Sequence, residues 1–138
     1  MVKNFINLFT GYVGDFGIAD MSSAKLDSER NKLKPDYEWS GRPVTDEDYK
    51  NHIEGKISIG IQPCTIDATA KFGCIDIDPK NYKNFRIEHY LALFEKYKLP
   101  LIPMLSKSGG LHCYIFLKEF IPTVDLIEAL KSFLLPLG

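Results

Sequence analysis

The second part of the chain is a regular succession of apolar segments, and their order limits the folds that are possible. Apolar residues alternate with polar ones where strands are predicted, and recur every three or four residues where helices are predicted. In order, these segments are strands at 57–63 and 70–79, a helix at 85–97, strands at 101–105 and 111–117, and a helix at 123–133. This order predicts an α+β layer, in which helices cover one face of a sheet.

The first 44 residues show no sustained period, and we expect them to be mostly irregular because glycines and prolines interrupt every apolar run. The segment PVTDEDYKNHIEG differs, since Thr45 can cap a helix, three acidic residues fill its first turn and Gly55 can end it. The sequence therefore predicts a helix at 45–53. It divides the chain into an irregular part, 1–44, and an α+β part, 45–138.

Composition and charge exclude several classes of protein. With 138 residues, 45% of them hydrophobic and 25% charged, the chain can form one globular domain but is neither a disordered protein nor a coiled coil. The net charge of -1 argues against a protein that coats DNA through bulk electrostatics. The span 79–107 nevertheless holds six basic residues against two acidic ones, so any contact with nucleic acid should be local.

Cysteine usage and hydropathy bear on the compartment. The three cysteines, Cys64, Cys74 and Cys113, show no CxxC spacing, and each lies in an apolar run, which is typical of a reducing compartment. We find no signal-peptide pattern and no apolar run approaching 18 residues. The sequence predicts a cytoplasmic protein with no membrane partner.

A pair of carboxylates is the strongest chemical feature. In GCIDIDP, Asp76 and Asp78 stand two residues apart on a predicted strand, so both side chains point to the same face. Their Cα atoms would lie roughly 6.5 Å apart. Two carboxylates at this spacing can share one divalent ion or bridge two ions. The alternative is that both aspartates only end the strand and are solvated at its edge.

A second feature is the segment SKSGGLHCYIFL. Its connection from Ser106 to Gly110 is rich in hydrogen-bond donors and glycine, which suits a backbone cradle for phosphate, and Lys107 adds positive charge. His112 begins the next strand, where its imidazole can donate to a phosphate oxygen. The alternative is an ordinary Gly-Gly hairpin with a half-buried histidine. Together, the carboxylate pair and this connection suggest a site for metal and triphosphate, and hence nucleotidyl transfer.

These motifs resemble the archaeo-eukaryotic primase (AEP, primase-polymerase) superfamily. CIDIDPKNY is similar to its DxD motif, and SKSGGLHCYIFL to its SxH motif. The stretch from RPVTDEDYKNHIEG to CIDIDPKNY is similar to the primase domain of TOTE conflict systems and of CRISPR-associated primase-polymerases, and the resemblance covers about residues 42–120. It implies an RRM-like antiparallel or mixed sheet covered by helices, and a DNA primase or polymerase that adds nucleotides to a DNA-templated strand.

The resemblance also assigns roles to individual residues. Asp76 and Asp78 would be ligands of a catalytic Mg²⁺ or Mn²⁺, and His112 would contact the triphosphate of the incoming nucleotide. Lys80 matches a lysine that follows the DxD in the TOTE-like group and would contact phosphate or template. The remaining nucleotide-binding residues implied by the resemblance are Ser106, Lys107, Ser108, Gly109 and Gly110.

The resemblance leaves one motif unmatched. The family's third acidic motif is expected on a strand after the helix at 123–133, so we expect residues 45–138 to be the first part of a longer catalytic core. Two alternatives stay open: a catalytically incomplete nucleotide-binding module, and a metal-dependent nuclease. Expected partners are nucleoside triphosphates, a single-stranded or primed DNA template, and a helicase or other replication or defence protein in a bacterial, viral or mobile-element setting.

Overall fold

The computed structural model describes residues 2–27, 32–82, 84–107 and 109–137. In these ranges the chain forms α1 (Val2–Leu8), β1 (Gly17–Asp27), β2 (Lys32–Trp39), α2 (Asp46–Ile53), β3 (Ser58–Gly60), β4 (Thr69–Ile77), α3 (Ile87–Tyr97), β5 (Ile102–Leu105), β6 (Leu111–Pro122) and α4 (Thr123–Leu134), with short 3-10 helices at Pro79–Asn81 and Leu135–Leu137. The strands form two antiparallel sheets of three. The α+β prediction is confirmed.

The first sheet has the strand order β2-β1-β3 and contains much of the region predicted to be irregular. That prediction is wrong for residues 17–27 and 32–39, which form β1 and β2. Pro35 lies in β2, at the edge of the sheet, where a missing N–H costs least. The pairing of β1 with β2 shifts between Asp20 and Lys25, beside that proline. Polar strands with a proline and a register shift lack the alternation that identifies strands in a sequence.

The strand β3 corrects a second expectation. The sequence pattern placed it in one sheet with β4, but Ser58–Gly60 pairs antiparallel with the start of β1, from Gly17 to Ala19. A strand of three residues offers too few side chains for the sequence to indicate its partner. The structure therefore joins residues on both sides of position 44 in one sheet.

The helix α2 begins as predicted. Thr45 is its N-cap, and Thr45 and Asp48 form a reciprocal capping box. The guanidinium of Arg42 binds the two oxygens of Asp48 at 2.7 Å each, and lies 5.1 Å from the centre of the Phe16 ring. Asp48 is buried, and its hydrogen bonds to Arg42 hold the pKa of its carboxyl well below the usual value.

The second sheet has the order β4-β6-β5 and supplies the main core. On one face, side chains of β4 and β6 pack against α3 and α4, whereas α1 and α2 contribute to a cleft over the opposite face. The buried residues in this core are Ala70, Ile75, Ile77, Tyr90, Phe94, Leu101, Leu111, Cys113, Ile115, Leu126 and Leu137. None of the helices in the described ranges is long and apolar enough to cross a membrane.

Candidate functional site

The second sheet has an open face whose character changes from apolar to polar along the strands. Because β4 and β6 are antiparallel and in register, their residues on this face form three facing pairs: Phe72 with Phe116, Cys74 with Tyr114, and Asp76 with His112. Phe9, just after α1, packs edge-on against Phe72, Tyr114 and Phe116 at 5.1 to 5.6 Å between ring centres. The aromatic end is therefore covered, and the polar end stays open.

Asp76 and His112 meet at that polar end. The Nε2 atom of His112 lies 3.7 Å from Oδ1 of Asp76, and their side chains are 43% and 65% exposed. Ile75 and Ile77, on either side of Asp76, are buried on the opposite face. The alternation on this strand predicted that Asp76 and the two isoleucines would lie on opposite faces, and this is confirmed. The structure also brings the two sequence motifs into direct contact.

Asp78 follows the end of β4 and remains extended, with φ -85° and ψ 123°, so the alternation that exposes Asp76 continues to it. Its Oδ1 accepts a hydrogen bond from the backbone N–H of Lys80 at 3.1 Å, which caps the 3-10 helix at Pro79–Asn81. The ammonium of Lys80 lies 3.7 Å from Oδ2. Lys80 therefore stands beside the carboxylate pair as a counter-charge.

The connection from Ser106 to Gly110 is a compact hairpin loop. The N–H of Gly109 donates to the Ser106 carbonyl at 3.1 Å, and the N–H of Gly110 donates to the Ser106 hydroxyl at 3.0 Å. Both glycine donors are thus used inside the loop, and Ser106 acts to shape it. Lys107 is exposed near the tip, and Ser108 lies outside the described residues.

Gly110 explains how the loop reaches the carboxylates. A Cβ at this position would collide with the backbone carbonyl of Ile77 and would lie 2.7 Å from Cδ of Pro79. Only glycine allows this approach, because neither atom belongs to a flexible side chain. Gly109 has φ +80°, which also favours glycine. Of the two glycines predicted to cradle phosphate, Gly110 therefore seats the loop on the end of β4, and Gly109 provides the positive φ of the turn.

Sequence reasoning missed two neighbours of His112. Tyr114 follows two residues later on the same face, 6.3 Å away between ring centres, and Met104 of β5 pairs directly with His112. The spacing of two could have indicated Tyr114, whereas Met104 depends on strand register. Both line an apolar cleft of about 360 Å³, which β3 and residues of α1 and α2 also enclose.

Two thiols lie near the carboxylates and differ in setting. Cys113 is buried, which raises its pKa to about 12. Cys74 lies on the open face, on the same side of β4 as Asp76. Partial burial of its sulfur, and secondarily the negative charge of Asp76, raise its pKa to about 11. Both thiols are therefore protonated at neutral pH.

The donor set suits a hard divalent cation in part. Two carboxylates from one strand end are oxygen ligands of the type that Mg²⁺ and Mn²⁺ prefer, and such ions commonly complete their shell with water and substrate phosphate. Within the described ranges, no group of three His, Cys, Asp or Glu side chains is placed to hold a metal. Asp76 and Asp78 therefore fit as two ligands, with further oxygens required from elsewhere.

Comparison with known proteins identifies the family of the chain. The described residues form an α+β fold in which a carboxylate pair meets a histidine across two strands. The family model for the archaeo-eukaryotic primase domain of TOTE conflict systems matches residues 18–135. The chain belongs to this family, as the resemblance in its motifs predicted. No curated protein matches the sequence.

Proposed function

We propose that this chain is the metal-dependent nucleotidyltransferase domain of a DNA primase or polymerase, which adds nucleotides to a DNA-templated strand. Its family consists of primase-type proteins, which supports the general class of activity. The observation that carries the specific proposal is the pairing of Asp76 with His112 at 3.7 Å, beside Asp78. A carboxylate pair and an imidazole therefore meet at one open end of a sheet, which supports the binding of a metal ion and a phosphate there.

Each side chain of the site would have a separate role. Asp76 and Asp78 would hold Mg²⁺ or Mn²⁺, which would lower the charge on the triphosphate and stabilise the leaving pyrophosphate. The imidazole of His112 would donate to a phosphate oxygen, and Lys107 and Lys80 would add positive charge on either side. The apolar cleft beside Met104 and Tyr114 would receive the nucleoside part. Ser106 and Gly110 would keep the loop in place rather than contact phosphate through their own donors.

Catalysis would need another carboxylate beyond the pair. The topology offers a place for it, because β4 is an edge strand of the second sheet in the described part of the chain, and Asp76 lies on it. A strand following α4 could pair with that edge. We propose that the third acidic residue of the family would reach the pair at this edge.

A second candidate function has one observation in its favour. Because the described residues present two carboxylates and no third metal-ligating group, the chain as given could bind nucleotide without transferring it. It would then be a nucleotide-binding module. The nuclease alternative draws on the same carboxylates but needs no triphosphate site at His112.

The decisive experiment is a calorimetric titration of the protein with nucleoside triphosphate in the presence of Mn²⁺. We expect saturable binding, weakened at least tenfold in Asp76→Ala, Asp78→Ala and His112→Ala. Lys118→Ala is the matched control, since this exposed residue lies at the other end of β6 from His112. Unchanged affinity in all three site variants would refute the assignment.

Primer extension separates the two candidates. A polypeptide that also carries the family's third acidic motif should lengthen a primed DNA template, and the Asp76→Ala version of it should not. Full activity from the 138 residues alone would contradict the need for a further carboxylate. A helicase or other replication or defence partner, and a cytoplasmic location, stay predictions from the family resemblance.

A further inference from the structure

A second cavity lies next to the carboxylates and is not part of the site described above. It has a volume of about 650 Å³ and lies between the 3-10 helix at Pro79–Asn81 and the start of α3. Asp78 caps that 3-10 helix through its carboxylate. The pocket is therefore connected to the candidate metal ligands by a single short turn.

The floor of this pocket is aromatic and firmly packed. Tyr90 is buried, the ring of Phe85 stacks on it at 5.2 Å, and the ring of Tyr82 meets it edge-on at 5.8 Å. Tyr82 and Phe85 are only half-buried, so their free surfaces line the cavity. Half-buried rings held by a core neighbour offer a flat surface at little cost in conformational entropy.

The rim is polar, and among the described lining residues its permanent cation is Arg86. Asn81, Asn84, Arg86 and His89 are exposed and line the pocket. Glu88 is the carboxylate among the lining residues, and at 4.0 Å from Arg86, with both side chains about three-quarters exposed, it neutralises little of that charge.

We propose that this pocket binds single-stranded DNA, as the site where the template strand passes the carboxylates. Aromatic surface for stacking, a guanidinium for phosphate and amide side chains for base edges are together typical of single-strand binding. The volume suits a nucleotide-sized group. The inference rests on the proposed polymerase function, because the strand is assigned to the template from its position beside Asp78.

The test is fluorescence anisotropy with a labelled oligothymidine at several salt concentrations. We expect Arg86→Ala to weaken binding roughly three- to tenfold and to make the dependence of log affinity on log salt shallower by about 0.7 to 1, as loss of one phosphate contact requires. Lys118→Ala, which removes the same charge at the far end of β6, should leave affinity and slope near those of the wild type. Both variants change exposed residues, and their melting temperatures should match the wild type.

A second measurement locates the DNA directly. Photo-crosslinking with 5-iodouracil in the oligonucleotide should attach to Tyr82 or Phe85, as mapped by mass spectrometry. The proposal is overturned if the wild type does not bind the strand, if Arg86→Ala binds as tightly as Lys118→Ala, or if every crosslink falls outside residues 81–90.

Nucleotide titration of the same proteins separates this inference from the function on which it rests. Arg86→Ala should bind nucleoside triphosphate and Mn²⁺ as the wild type does. Normal nucleotide binding together with unaltered DNA binding in Arg86→Ala would refute the pocket alone. If the wild type itself does not bind nucleoside triphosphate with Mn²⁺, the proposed function is refuted instead.

Discussion

The two sheets are stabilised in different ways. The second sheet, β4-β6-β5, buries the continuous apolar core under α3 and α4. The first, β2-β1-β3, is anchored at its end by polar contacts, in which Arg42 binds Asp48 and the Ser40 hydroxyl donates to Asp15 at 2.6 Å. Apolar packing is insensitive to pH, whereas charged and hydrogen-bonded contacts depend on ionisation. The comparison therefore predicts that different perturbations should affect the two sheets.

Each sheet carries its own reporter. Trp39, the single tryptophan of the sequence, lies in β2, and its fluorescence follows the first sheet. Cys113 is fully buried in β6, whereas Cys64 and Cys74 are exposed. The Cys113 thiol should therefore react slowly with a thiol reagent, and its rate of reaction reports opening of the second sheet. Trp39 fluorescence and Cys113 reactivity therefore report on the two sheets separately.

The largest effect is expected from Gly110→Ala. The new Cβ meets backbone at Ile77 and the ring of Pro79, so the loop must move, at a cost of about 3 kcal/mol in the free energy of unfolding. Reaction of Cys113 should accelerate, and nucleotide binding should fall. Gly109→Ala is the matched control, because a Cβ at this position meets open space and only the φ of +80° is unfavourable. This change should lower the free energy of unfolding by about 1 kcal/mol. Equal effects of the two changes would contradict the close approach.

Asp48→Ala should be the most damaging change in the first sheet's anchor. It removes both hydrogen bonds from Arg42 and the capping box of α2, and we expect a loss of about 2 kcal/mol, measured by denaturant unfolding followed through Trp39 fluorescence. Glu47→Ala is the control, since its 3.6 Å pair with Lys50 is on the surface and should contribute less than about 0.5 kcal/mol. A larger loss of stability from Glu47→Ala than from Asp48→Ala would contradict the role of Asp48 as the anchor of the first sheet.

Acid and alkali should affect the two sheets separately. The pKa values of Asp48 and Asp15 are lowered by hydrogen bonds, so their contribution is complete above the ordinary value of 3.8 and is lost as the pH falls below it. The pKa of Cys113 is raised from 9.0 to about 12, so its contribution is complete below pH 9 and is lost as the pH rises toward 12. The Trp39 signal should therefore change first on acidification, and Cys113 reactivity first in alkali.

The smallest effect on stability is expected from Asp76→Asn. The side chain is 65% exposed and lies on the open face, so the free energy of unfolding should change by less than about 0.5 kcal/mol, measured by denaturant unfolding. Its binding of nucleotide with Mn²⁺ should nevertheless fall with that of Asp76→Ala. A large loss of stability would mean that Asp76 supports the sheet rather than a ligand.

The sequence predicted the second sheet far better than the first. Alternation along Cys74 to Asp78 correctly predicted which side chains would be buried, because the core is on one face only. The signature at Thr45 predicted α2 because capping is local. β1 and β2 were missed because their backbone pairing overrides weak side-chain patterns, including Pro35 at an edge.

The sequence predicted which residues belong to the candidate site, but not which of them are in contact. The motifs identified Asp76, Asp78 and His112, yet their meeting depends on the pairing of β4 with β6, two strands separated by α3 and β5. The use of Ser106 and the glycines within the loop also depends on backbone geometry, which residue types alone do not specify. Tyr114 and Met104 join the site for the same reason.

The alignment of β6 against β4 has a consequence for folding. A slip of one residue would place Leu111 or Cys113 opposite Asp76 and turn the imidazole of His112 into the core. The facing carboxylate and imidazole thus exist in one alignment of the two strands and in no neighbouring one. Any ligand held by both side chains stabilises the correctly aligned chain by mass action and leaves misaligned conformers unbound.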